Sequence, residues 1–228
     1  MKDPTDTPLS RRAFVKKTST GLVALSLGAA GMACAKTAIN TPKMIKIKKV
    51  SSNFEREPLI RPFGFKGGEI TNVWQTMAYL ESNSELHSIG LGTQSVLWSD
   101  SQVFADHSEN GGNALMYAMS ERALQMVKDQ SFTSPIILLD DILEEVFSYG
   151  KQITGNHNLR KTFALNALVG FDNAVWLLYA QENGIKQFDE MVPEAYRPGL
   201  SAKHKGVVSI PALGYGTPIA EIKKMADQ

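Results

Sequence analysis

Between residues 163 and 182 the chain is apolar on nearly every side. Phe163, Ala164, Ala167, Leu168, Phe171, Ala174, Val175 and Leu178 recur with the 3.6-residue period of a helix. Leu165, Val169, Trp176, Leu177 and Tyr179 make the opposite side apolar as well, which predicts a core helix buried between two layers. Asn166, Asp172 and Asn173 speak against a membrane span, because such groups are costly in hydrocarbon. Asn158 is the expected N-terminal cap, and Asn183-Gly184 the expected left-handed stop.

Upstream, the pattern changes period. Met44-Ile45-Lys46-Ile47-Lys48 alternates and predicts a half-buried strand, with Ile70 to Leu80 and Leu86 to Leu91 as the next two. Residues 81–85 read as the hairpin turn between the latter pair. The stretch 58–68, with two prolines and three glycines, reads as a loop. Residues 92–110 are polar and aromatic without a period and read as a second, long loop. Leu115, Met116, Met119, Ala123, Met126 and Val127 then stripe a helix over 113–130. Ser134-Pro135 opens another that runs to Gly150. After the central helix, residues 206–213 read as a buried strand, and Thr217-Pro218 starts a short helix. Three antiparallel strands followed by helices give an α+β domain, with a strand and a helix added behind it.

The N-terminal 35 residues stand apart from that pattern. Ser10-Arg11-Arg12-Ala13-Phe14-Val15-Lys16 precedes an uncharged, small-residue run over 21–33. Positive region, short apolar region and small-residue exit predict an export leader. The arginine pair, with its serine, aromatic and lysine, resembles the twin-arginine signal, which carries folded proteins. Two exits stand open. Cleavage after Ala35 gives a soluble periplasmic protein, and acylation of Cys34 gives a membrane-anchored lipoprotein, although Gly31 replaces the usual leucine. Residues 36–42 are the linker. The chain has 228 residues, 43% of them hydrophobic, and net charge +1, so nothing in the balance points to nucleic acid. A single cysteine excludes an internal disulfide and a cysteine-rich zinc site.

The element order over residues 43–228 resembles the enolase superfamily, in its mandelate racemase and muconate lactonizing branch. The residues that carry the resemblance are the first strand, Arg61-Pro62-Phe63-Gly64, Gly90-Leu91-Gly92, and Ala164-Leu165-Asn166-Ala167 running into Asp172-Asn173-Ala174-Val175-Trp176. Val208 to Gly216 is similar to the family's first barrel strand. Thr93 departs from the pattern, since many members carry glutamate after the glycine. The resemblance implies a three-stranded capping domain over 43–183 and, over 184–228, the first β/α unit of an incomplete TIM-type barrel. It implies a homo-oligomeric, Mg²⁺-dependent enzyme that removes a proton alpha to a carboxylate. Racemase, epimerase, cycloisomerase and acid-sugar dehydratase all begin with that step. The family's catalytic and metal-binding residues stand on later barrel strands, so the expectation is that none lies within these 228 residues and that the sequence is truncated or half of a split gene. Membrane contact is expected only during export, or through Cys34.

In the family, the first capping loop helps to choose the substrate. Its counterparts here are Arg61, Phe63, Phe65 and Lys66. The aromatics are suited to an apolar group and the cations to the carboxylate of an amino acid, dipeptide or sugar acid. The alternative is that Phe63 and Phe65 only pack an interface. Other chemistry-bearing groups have plainer readings. Lys46-Ile47-Lys48 imitates the family's base motif on the wrong strand and reads as a solvated edge. Asp140, Asp141, Glu144 and Glu145 read as an acidic helix face, Asp172 as a cap or loop tie, and His87 and His107 as ordinary polar residues. A non-enzymatic exported or lipid-anchored binding module remains the competing function.

Overall fold

The computed structural model describes residues 43–202, 204–208 and 213–226. The expected leader, with Arg11, Arg12 and Cys34, lies outside the described residues. The body is α+β. Four antiparallel strands, β1 (Ile45–Phe65), β2 (Gly68–Ser82), β3 (His87–Gln94) and β4 (Ser131–Phe132), form one sheet in the order β3-β2-β1-β4. The expected count was three. Ser131 and Phe132 pair with Lys46 and Ile45, and a two-residue strand is too short to show a period. The helices are α1 (Val96–Ser99), α2 (Ser101–Val127), α3 (Pro135–Thr154), α4 (Lys161–Ala167), α5 (Val169–Glu182), α6 (Phe188–Met191) and α7 (Ile219–Ala226), with a 3₁₀ segment at Glu194–Leu200.

β1 and β2 form a long hairpin where a loop over 58–68 was expected. The two prolines fall where the register slips between Pro58 and Phe63, so neither missing N–H interrupts the ladder. The ladder resumes at Phe63 and closes on a two-residue turn, Lys66-Gly67, with φ of 50° and 76°. Left-handed residues at both positions match the twist of the flanking strands.

The expected long loop over 92–110 is also absent. Gly92 to Gln94 belong to β3, and the rest is helical apart from the extended cap residues Ser95 and Asp100. Asp100 starts α2, twelve residues earlier than the apolar stripe suggested. Its carboxylate accepts from the Gln102 and Val103 N–H groups at 3.0 and 3.3 Å. A kink at Ser108, φ 65°, separates this first polar stretch from the striped helix behind it.

The central apolar stretch is two helices, not one. They meet at Leu168 with a bend of 50°. The break sits two residues before Gly170, where the helix backbone descends onto Gly92 of β3. All eight residues of the predicted apolar face are buried. The opposite face is not, since Leu165, Val169 and Leu177 are exposed, so the helix pair covers the sheet from one side only. Asn158 does not cap. Arg160 holds the N-cap position, and its N–H donates to Asp100 Oδ2 at 2.9 Å. The predicted stop holds, with Gly184 at φ 66° and Asn183 Nδ2 donating to Tyr179 O at 2.9 Å.

No strand forms over the described part of 206–213. Val207 and Val208 are 99% and 89% exposed, and no neighbouring strand supplies hydrogen bonds to them. Among the described residues, no single helix is long and apolar enough to cross a membrane; α4 and α5 pass such a test only as a bent pair.

Candidate functional site

β3 reverses the usual alternation. Its inward positions are Ser88, Gly90, Gly92 and Gln94, while Ile89 and Leu91 point outward. The small inward residues let α5 approach the strand backbone. A Cβ on Gly92 would stand 2.6 Å from Gly170 N, and one on Gly90 would stand 2.8 Å from Ala174 Cα. Polar side chains of the helix pair then fasten the strand's outer edge. Asn166 Nδ2 donates to Thr93 O at 3.0 Å, and Asn173 Nδ2 to Leu91 O at 2.7 Å. Ser88 Oγ returns a bond to Ala174 O at 2.7 Å. The asparagines that speak against a membrane span therefore cap an edge strand.

This sheet and helix frame holds the hairpin tip at one end of the body. All four predicted site residues lie there. Phe65 packs between Phe63, 5.6 Å away between ring centroids, and Trp98 of α1, 6.2 Å away. Lys66 Nζ donates to Trp98 O at 2.7 Å and sits 5.2 Å from the centre of the Trp98 ring. Phe63 also meets the 213–216 segment, where a side chain on Gly214 would strike its ring. The Tyr215 N–H donates to Gly64 O at 3.1 Å. Arg61 reaches α7 and forms an ion pair with Glu221. The tip is thus an aromatic cluster edged by two cations. An ammonium carries three donors, so Lys66 keeps donors beyond its bond to Trp98 O. Phe63 and Phe65 are half-buried while Lys66 is exposed, which leaves ring faces and a positive charge at the surface together.

One residue that steadies the tip gave no sequence signal. Glu109 of α2 accepts from Thr71 N and Oγ1 at 2.9 and 2.6 Å, and from Asn72 N and Nδ2 at 3.1 and 3.3 Å. It clamps β2 beside the register slip. Nothing in the spacing of Glu109 marks it, because the partner lies 38 residues away.

The plainer assignments agree with the geometry. Lys46 and Lys48 are exposed on β1. Glu144 pairs with Lys161 and Glu145 with Arg122. His107 Nε2 lies 3.0 Å from Thr154 O, and His87 stacks on Tyr79. Among the described residues no group of three or more His, Cys, Asp or Glu side chains converges as a cation site. The donor set on this body therefore does not fit Mg²⁺.

At the foot of the body, Lys43 meets the end of α5. Its N–H donates to Asn183 Oδ1 at 3.1 Å, and its ammonium pairs with Glu182 and reaches Ser84 Oγ at 3.3 Å. Burial pushes the Glu182 carboxyl up, but the bonds from Lys43, Ser82 and Ser84 outweigh it and hold the group below the usual carboxylate value. Beside this junction an open groove of about 930 Å³ runs between the outer face of β3, α5 and α6. Its walls are mostly apolar, with Ile89, Leu91, Trp176, Leu177, Phe188 and Met191 among them, and Asp172 and Asn173 supply polar groups.

No protein-family model and no curated protein matches the chain. Solved structures do show a likeness. A dipeptide epimerase from Enterococcus faecalis, crystallised with Mg and L-Leu-L-Tyr, is 18% identical over 60% of this chain and 32% of its own, with TM-score 0.37. An L-talarate/galactarate dehydratase from Salmonella typhimurium, with Mg and L-lyxarohydroxamate, is 16% identical over 70% of this chain and 36% of its own, with TM-score 0.40. A mandelate racemase/muconate lactonizing protein from Herpetosiphon aurantiacus is 13% identical over 60% and 31%, with TM-score 0.35. The chain spans about a third of the length of these structures.

Proposed function

We propose that this chain is the substrate-capping portion of an exported isomerase or lyase of the enolase superfamily. The enzyme would take a small carboxylate, such as a dipeptide or sugar acid, and abstract its α-proton. The observation that carries the proposal is the hairpin tip, where Phe63, Phe65 and Lys66 converge with Trp98 at one end of a rigid frame. Rings that cover an apolar group, beside a cation that meets a carboxylate, are what a lid over such a substrate needs. The motifs Arg61-Pro62-Phe63-Gly64 and Ala164 to Trp176 support the same assignment. Mg²⁺ and the base that takes the proton would belong to a barrel, as the family resemblance implies; among the described residues no group of three or more His, Cys, Asp or Glu side chains converges to hold a cation. Export by the twin-arginine route is supported by Arg11-Arg12 and the uncharged run behind them.

Two measurements test this. Reading the gene beyond codon 228 should reveal a barrel, in frame or in an adjacent gene, with a lysine motif and three spaced acidic residues. A stop codon with no companion barrel overturns the proposal and favours a binding module. Joined to that barrel, the chain should support metal-dependent deuterium incorporation at the α-carbon of dipeptides or acid sugars in D₂O. Phe65→Ala and Lys66→Ala should change which substrates exchange. An unchanged substrate range in both variants removes the tip from the site.

A further inference from the structure

We propose that in the precursor the apolar run of the leader, residues 21–33, docks in the groove between β3, α5 and α6 of its own body. The chain outside the described body is 42 residues long and joins it at Lys43. That junction is fixed beside the groove. Lys43 is tied to Glu182 and Asn183, and Asn183 lies six residues beyond Leu177 in the groove wall, about 9 Å along a helix axis. The nine residues 34–42 reach up to about 30 Å when extended, enough to bring residue 33 to the groove.

The two surfaces match in chemistry. Residues 21–33 carry no charge and include Leu22, Val23, Leu25 and Leu27. The groove wall offers Ile89, Leu91, Trp176, Leu177, Phe188 and Met191. Leu91 and Leu177 are 64% and 45% exposed, so apolar surface stands uncovered along the groove. A short tether holds the run at an effective concentration in the millimolar range, so even a weak contact is populated. Docking shields the leader's apolar run until the export machinery takes it, and removal of the leader opens the groove. The proposal uses residues 1–35 as an export leader but does not depend on the capping role.

Disulfide trapping in the full 228-residue chain tests it. In a Cys34→Ser background, Leu27→Cys is combined with either Leu177→Cys in the groove or Leu86→Cys on the turn beside Lys43. Leu86 and Leu177 are both exposed, so neither change should disturb the fold. A free tether favours position 86, which lies two residues beyond Ser84, a partner of Lys43. The expected result is intrachain oxidation at 177 at least about ten times faster than at 86. Adding Leu25→Asp should abolish that preference. Equal rates, or faster trapping at 86, overturn the proposal. So does a disulfide that joins two chains and scales with concentration, which would place a second copy in the groove.

Discussion

Gly92→Ala puts a methyl group into a close backbone contact between strand and helix. The new Cβ would stand 2.6 Å from Gly170 N and 3.1 Å from Gly170 Cα. Both are backbone atoms of α5, so no side chain can swing aside. Ordinary contact begins at 3.4 Å, so α5 must lift from 2.6 to 3.4 Å, a shift of about 0.8 Å. The same shift stretches the Asn173 bond to Leu91 O from 2.7 to about 3.5 Å, the outer limit of a hydrogen bond. Overpacking costs about 1–3 kcal/mol, and the lost bond to Leu91 O about 1 kcal/mol. Together that is roughly 2–4 kcal/mol, a large share of the 5–15 kcal/mol typical of a domain. For a body of this size the melting temperature should fall by about 4–16 °C. Thermal unfolding followed by circular dichroism measures it, with Gly199→Ala, where nothing lies within 4 Å, as the control. A fall of under about 2 °C for Gly92→Ala would show that α5 does not rest on the β3 backbone as described.

Four further outcomes are expected. The Glu182 carboxyl is depressed in the fold, so its stabilisation is present above the unfolded carboxylate value near 4.3 and is lost as pH falls through the lower folded value. Glu182→Gln should therefore unfold in less urea at pH 7 yet show a flatter urea midpoint between pH 5 and 3, and an unchanged pH slope refutes the assignment. Asn173→Leu removes the donor to Leu91 O and should cost about 1–2 kcal/mol while promoting self-association, read by light scattering. Glu109→Gln keeps the size of the clamp but loses charge-assisted acceptance; protease cutting within 58–68 should speed up severalfold, without a large change in circular dichroism. Replacing Arg11 and Arg12 together by lysine should leave the precursor in the cytoplasm, and continued twin-arginine export of that variant would contradict the leader assignment.

What the sequence revealed and what it hid divide by the range of the interaction. The buried face from Phe163 to Leu178 is written in the 3.6-residue period and matches the structure at every position. The bend at Leu168 is not, because it arises where Gly170 meets a strand almost eighty residues earlier in the chain. The front of α2 lacks an apolar stripe, and Asp100 starts it with a cap that propensity alone does not reveal. Prolines and glycines over 58–68 read as a loop because composition cannot show that Pro58 and Pro62 fall on a register slip. Residues 206–208 carry a strand's composition without a strand's neighbours, and pairing decides. At the candidate site, Arg61, Phe63, Phe65 and Lys66 came from a motif. Trp98, Glu109 and Tyr215 came only from folding them together.

The asparagine caps on β3 also set a clock for synthesis. Asn166 comes 73 residues after Thr93, and Asn173 comes 82 residues after Leu91. At 5–20 residues per second, a ribosome needs roughly 4–16 s to deliver them. For that interval the hairpin and β3 exist with an open edge, and any other nascent strand is a competitor for it. Slowing elongation after residue 94 should lower the soluble yield, and speeding it should raise it.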